Sequence, residues 1–163
     1  MLKYLDTLIG FQEVPNEVTL CINITNCPCG CKGCHTPDLA QDIGNELNIH
    51  EIIKFKCTYK DGITCICLMG GDSNPEEVNR LAEIIKGGDI PLKAAWYSGR
   101  QYIPDEIELK NFDYIKIGPY IEKLGPLSSK TTNQQFFRID HVAGKDFVVD
   151  ITSKFQENGN YIK

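Results

Sequence analysis

From Val18 to Thr25 apolar and polar residues alternate, with Val18, Leu20, Ile22 and Ile24 on one side and Thr19, Cys21, Asn23 and Thr25 on the other. A period of two predicts a strand, and this one runs straight into a loop crowded with cysteine. From about Asn48 the period lengthens. Asn48 is a helix cap, Glu51 stands three residues later as in a capping box, and Ile49, Ile52 and Ile53 form an apolar stripe. A second strand is predicted over Ile63 to Met69. The next helix is the best punctuated in the chain, with Asn74 as cap, Pro75 at its first position, Glu76 and Glu77 in its first turn and Gly87 and Gly88 at its end. Val78, Leu81, Ala82 and Ile85 form its buried face. Further strands are predicted over Leu92 to Tyr97, Tyr114 to Ile117 and Phe147 to Ile151, with PDEIEL as a short helix between the first two of these.

Strands alternating with helices imply parallel pairing through right-handed crossovers, hence an α/β fold. Of the two architectures this allows, an open sheet and a partial barrel, we favour the partial barrel. In such folds ligands bind beyond the carboxyl ends of the strands. The cysteine loop, Gly70 to Asp72, Ser98 to Arg100 and Gly118 to Tyr120 each follow one of the four central strands, so all four loops are expected on one rim.

Length and composition narrow the function. A chain of 163 residues fits one domain with a core of its own. No apolar run reaches the roughly 18 residues of a membrane span, and Asp6 interrupts the amino-terminal stretch where a signal peptide is apolar. A cytoplasmic protein is therefore expected. A net charge of −5 argues against general nucleic-acid binding, which needs a basic surface.

Eight cysteines without a signal peptide do not read as a disulfide framework. Cys27, Cys29, Cys31 and Cys34 fall within the stretch CPCGCKGC, and thiols so crowded in a reducing compartment usually hold metal. Cys57, Cys65 and Cys67 are read as ordinary core residues, the last two expected on opposite faces of a strand, which leaves them unable to complete a zinc site together. Cys27, Cys31 and Cys34 have the spacing CxxxCxxC, which lets three thiolates reach three corners of a cubane iron–sulfur cluster and leaves the fourth iron open. Zinc held by Cys27 or Cys29 with Cys31, Cys34 and His35, and a four-cysteine cluster that includes Cys29, are the alternatives.

The loop CPCGCKGCHTPDL, the GGD turn, the AWYSGR segment and TTNQQ, together spanning most of the chain, resemble the radical S-adenosylmethionine superfamily. Within it they most resemble the activating proteins of anaerobic ribonucleoside-triphosphate reductase. The resemblance implies that Cys27, Cys31 and Cys34 bind a 4Fe-4S cluster whose open iron receives S-adenosylmethionine through its amino and carboxylate groups. It implies that Gly70, Gly71 and Asp72 meet the amino group, that Gly33, Cys34 and His35 lie beside the adenine, and that Ser98 reaches the carboxylate or ribose. The implied partners are the large reductase subunit, on which a glycyl radical is made, and an electron donor such as a flavodoxin. The chain departs from the family pattern at Asp72, where glutamate is usual, at Gly33, where an aromatic is frequent, at Ile117, where an acid precedes Gly-Pro, and in having the additional thiol of Cys29. Tyr97, Trp96 and Tyr120 read as core or rim aromatics, and Arg100 and Arg138 as carboxylate-gripping or solvated. Two other readings compete: a small radical enzyme acting on a metabolite, and a zinc-stabilised binding module without catalysis.

Overall fold

The computed structural model describes residues 1–157. In chain order it contains β1 (Leu2–Gly10), β2 (Thr19–Ile24), β3 (Asn45–Leu47), α1 (Ile49–Tyr59), β4 (Cys65–Met69), α2 (Pro75–Lys86), β5 (Lys93–Tyr97), β6 (Tyr114–Ile117), β7 (Gln135–Val142), β8 (Lys145–Asp150) and α3 (Ser153–Glu157), with short 3-10 turns at Pro37–Ala40 and Leu109–Asn111. The strands form one mixed sheet in the order β3-β1-β2-β4-β5-β6-β7-β8. Its centre is parallel: β2 pairs with β4, β4 with β5 and β5 with β6. Its flanks are antiparallel, β1 against β2 and β3, and β7 against β6 and β8. The expectation of parallel strands alternating with helices therefore describes the centre and needs correction at both edges.

The corrections have physical causes. β1 carries no clean alternation, because Leu2 and Tyr4 are buried while Leu5, Leu8 and Ile9 stay exposed, and its register against β2 shifts between Tyr4 and Asp6. The β7–β8 hairpin turns through Ala143 and Gly144, both at positive φ (50° and 74°). Alanine rarely takes that conformation, so the turn lacks the Asn-Gly or Asp-Gly signal that announces such hairpins. PDEIEL is not an α-helix. Ile107 closes one turn on the Pro104 carbonyl at 3.0 Å, and the Glu108 amide then bonds to Asn79 Oδ1 on α2 at 2.9 Å, so the crossover from β5 to β6 is an irregular segment.

Both predicted caps are formed. Asn48 Oδ1 accepts from the Glu51 amide and Asn74 Oδ1 from the Glu77 amide, each at 3.1 Å. Capping satisfies amides that the first helical turn leaves unpaired and adds about 1 kcal/mol each. The two helices pack Ile52 and Phe55 of α1 and Val78, Leu81, Ala82 and Ile85 of α2 onto one face of the sheet, against Leu20, Ile22, Ile66, Leu68, Ala94, Trp96 and Ile115. Crossovers of one hand put them on the same side.

The other face differs from end to end. Near the amino ends of the parallel strands, Glu17 is buried and accepts hydrogen bonds from Thr64, Tyr114 and Lys93. Burial alone would raise its carboxyl, but these donors outweigh it and hold Glu17 below the usual carboxylate range. Midway, Cys21, Cys65, Cys67, Ala95 and Tyr114 pack under Phe136, Leu127 and Ile151. Cys65 and Cys67 thus share a face, which corrects the expectation that they diverge, since residues two apart on a strand point the same way. Cys57 is exposed on α1 and is not a core residue. At the carboxyl ends no such packing fills the face, and a cavity opens. Among the described residues no helix is long and apolar enough to cross a membrane.

Candidate functional site

Each parallel strand delivers one loop to this cavity, which measures about 700 Å³. β2 ends at Ile24, and Asn26 follows in a left-handed conformation (φ 58°) that turns the chain into the cysteine loop. The foot of that loop is held by two backbone bonds, Asn26 N–H to the Gln41 carbonyl and Cys27 N–H to the Leu39 carbonyl, both 2.9 Å. Cys27, Cys29, Cys31 and Cys34 all face the cavity, with Gly33 and His35. The His35 ring lies against Tyr120 of the Gly118–Tyr120 loop, centroids 5.0 Å apart, which closes the far wall.

β4 delivers Gly70, Gly71 and Asp72. Gly70 lies on the cavity wall, and its carbonyl accepts from Trp96 Nε1 at 2.8 Å. Trp96 is fully buried and acts as a brace beneath the turn. Gly71 faces away, toward α2: at φ 89° a Cβ there would lie 2.5 Å from Val78 Cγ2. The glycine is required by close packing of turn on helix.

Asp72 is only 2% exposed and ties three loops together. Its Oδ1 accepts from Ser98 Oγ at 2.5 Å and lies 3.5 Å from Arg100 Nε, while its Oδ2 accepts from the Gly99 amide at 3.0 Å and from the Cys29 thiol at 3.6 Å. Arg100 Nη2 also donates to the Asp72 carbonyl at 2.8 Å. Asp72 and Ser98, both assigned to ligand contacts by resemblance, therefore also satisfy one another, and the shorter reach of aspartate keeps its carboxylate among these donors.

Lys116 on β6 is a residue that the sequence analysis passed over. It is 8% exposed, lines the cavity, and donates from Nζ to the carbonyls of Ser98 at 3.2 Å and Gly118 at 2.7 Å. Burial pushes its ammonium down to about 8, with Asp72 and the thiols of Cys31, Cys29 and Cys27 pulling the other way. Gln134, in TTNQQ, is a second buried cavity residue and approaches the same Gly118 carbonyl. Tyr97 lines the floor and donates its hydroxyl to the Glu13 carbonyl.

Within the loop, Cys29 lies between Cys27 and Asp72. The contact with Cys29 lowers the Cys27 thiol against the opposing pull of burial and Asp72, while Cys29 itself is pushed up by the same contact and by its own burial. Among the described residues, Cys27, Cys29 and Asp72 are the one group of potential metal ligands whose donor atoms all lie within 4.8 Å of one another. Cys31 and Cys34 stand farther round the wall. Arg138 does not reach the cavity and pairs with Asp140 at 2.7 Å. Compared with protein-family models, curated proteins and solved structures, the chain matches none.

Two outcomes follow from this geometry. Replacing Asp72 by Ala leaves Ser98 Oγ and the Gly99 amide without their acceptor and Arg100 without its counter-charge, so it should lower unfolding free energy by about 3 kcal/mol in urea titrations, against little change if the carboxylate were free in the cavity. Lys116 binds its proton more weakly folded than unfolded, so its contribution to stability rises as pH climbs from about 8 toward the ordinary 10.5. The pH–stability profile of Lys116→Met should lack that rise, and an unchanged profile would contradict the assignment.

Proposed function

We propose that the protein is a radical S-adenosylmethionine activating enzyme that generates a glycyl radical on an anaerobic ribonucleoside-triphosphate reductase, built as a partial (β/α) barrel. The observation that carries this reading is the convergence of the CxxxCxxC loop, the GGD turn, Ser98–Arg100 and Gly118–Tyr120 at the carboxyl ends of β2, β4, β5 and β6, around one cavity. Parallel strands with both α-helical crossovers on one face leave the opposite face as the interior, which supports the partial-barrel layout.

The donor set fits a cluster. Cys27, Cys31 and Cys34 all line the cavity, and three thiolates from one loop suit a cubane with one open iron. When bound, that cluster supplies the single low-potential electron that breaks a carbon–sulfur bond of S-adenosylmethionine into methionine and a 5′-deoxyadenosyl radical. The remaining tasks belong to this chain. Its backbone at Cys27 is fixed by the Leu39 carbonyl, which sets the loop before any ligand arrives. Lys116 presents an ammonium to the cysteine loop and so favours the ionised form of the Cys27 thiol. Ile24, Met69 and Tyr97 give the floor an apolar lining that keeps water from a reactive radical. The α-carbon of a glycine in the partner subunit would supply the hydrogen that the 5′-carbon takes up, leaving the stored glycyl radical on the partner. A one-electron donor of the flavodoxin kind restores the electron consumed in each cycle.

Anaerobic reconstitution tests the ligand assignment. Cys27→Ala, Cys31→Ala and Cys34→Ala should each abolish retention of iron and sulfide after gel filtration, whereas Cys29→Ala retains both. Loss of the cluster in the Cys29 variant alone would overturn it. Production of a glycyl radical that requires the large reductase subunit separates this reading from an enzyme acting on a metabolite.

A further inference from the structure

Lys116 carries a charge that its hydrogen bonds leave without a counter-ion. It is 8% exposed, and both its acceptors, the carbonyls of Ser98 at 3.2 Å and Gly118 at 2.7 Å, are neutral. Asp72, the carboxylate whose charge acts on it most, is taken up by Ser98, Gly99 and Arg100. Buried charges are ordinarily paired, because an ammonium held out of water without an anion is costly. An ammonium has three N–H donors, so one remains after the two carbonyls, and the side chain lines the cavity.

Gln134 stands beside it. It is 7% exposed, lines the same cavity, and brings Nε2 to 3.5 Å from the Gly118 carbonyl, the oxygen that also accepts from Lys116. Two nitrogens that share one acceptor are close enough to meet the two oxygens of a single carboxylate. Ser98, by contrast, has no proton to give. Its Oγ donates to Asp72 at 2.5 Å and accepts from the Arg100 amide at 3.0 Å, which leaves a lone pair suited to a ribose hydroxyl and repelled by a carboxylate. Among the described residues on the cavity wall, Lys116 is the one lysine or arginine.

We infer that Lys116, with Gln134 beside it, binds the carboxylate of the methionyl part of S-adenosylmethionine and so makes the cavity selective for a ligand with an intact amino-acid tail. This assigns to Lys116 a contact that the resemblance gives to Ser98, and it rests on the reading of the cavity as an S-adenosylmethionine site. The carboxylate completes the ion pair that the fold leaves open, and it offsets the burial that pushes the ammonium down to about 8. A ligand without it leaves a buried ammonium unpaired, which is the stronger way for a site to discriminate.

The test is anaerobic equilibrium dialysis of the cluster-reconstituted full chain against S-adenosylmethionine and against its decarboxylated form, which keeps the adenosyl group and the sulfonium. At equal iron content, Lys116→Met should weaken S-adenosylmethionine by at least about tenfold, the low end for loss of a hydrogen bond to a charged group, and leave the decarboxylated form bound as before. Gln134→Leu keeps the ammonium and should weaken S-adenosylmethionine about fivefold, again without effect on the decarboxylated form. Equal weakening of both ligands in either variant, or unchanged affinity for S-adenosylmethionine, would overturn the assignment while binding to the unaltered protein upholds the cluster reading. Failure of the unaltered protein to bind S-adenosylmethionine would overturn both.

Discussion

Parallel pairing of β2, β4, β5 and β6 is the constraint on which the site depends. Strands that run the same way end on the same side, so four loops distant in sequence must meet at one rim. Parallel strands also require crossovers, and α1 and α2 provide two of them on a single face. The opposite face is then free to be filled at one end and open at the other. Glu17 and its three donors, followed by the packed layer of Cys21, Cys65 and Cys67, close the amino end. The carboxyl end becomes the cavity.

Within that frame Asp72 does for the rim what the strands do for the sheet. A carboxylate 2% exposed must have its lone pairs satisfied, and its donors come from the next loop along, Ser98, Gly99 and Arg100, and from the cysteine loop. The GGD turn is thus locked to its neighbours before any ligand binds. Lys116, beneath, places one positive charge where thiols and Asp72 gather, at the expense of its own hydration.

What was legible in the sequence had a local cause. The central strands and both long helices carry their own period and punctuation, and Asn48 and Asn74 cap as their spacing to Glu51 and Glu77 requires. The meeting of the four loops followed from topology alone. What was missed depends on partners far along the chain. β3 is three residues whose only claim to be a strand is pairing with β1, and β7 turns into β8 through an alanine at positive φ. Lys116 in YIKI reads as a solvated lysine until β6 is known to end in a cavity. The contact of Cys29 with Asp72 spans 43 residues and exists only because β2 and β4 are adjacent.

We propose that this rim holds a three-thiolate cluster with one iron open to S-adenosylmethionine. Electron paramagnetic resonance of the anaerobically reconstituted, dithionite-reduced protein, recorded with and without S-adenosylmethionine, tests it most directly. The expected result is a reduced 4Fe-4S signal whose shape changes when S-adenosylmethionine is added. A protein that forms no such cluster, or one whose signal is indifferent to S-adenosylmethionine, would contradict it.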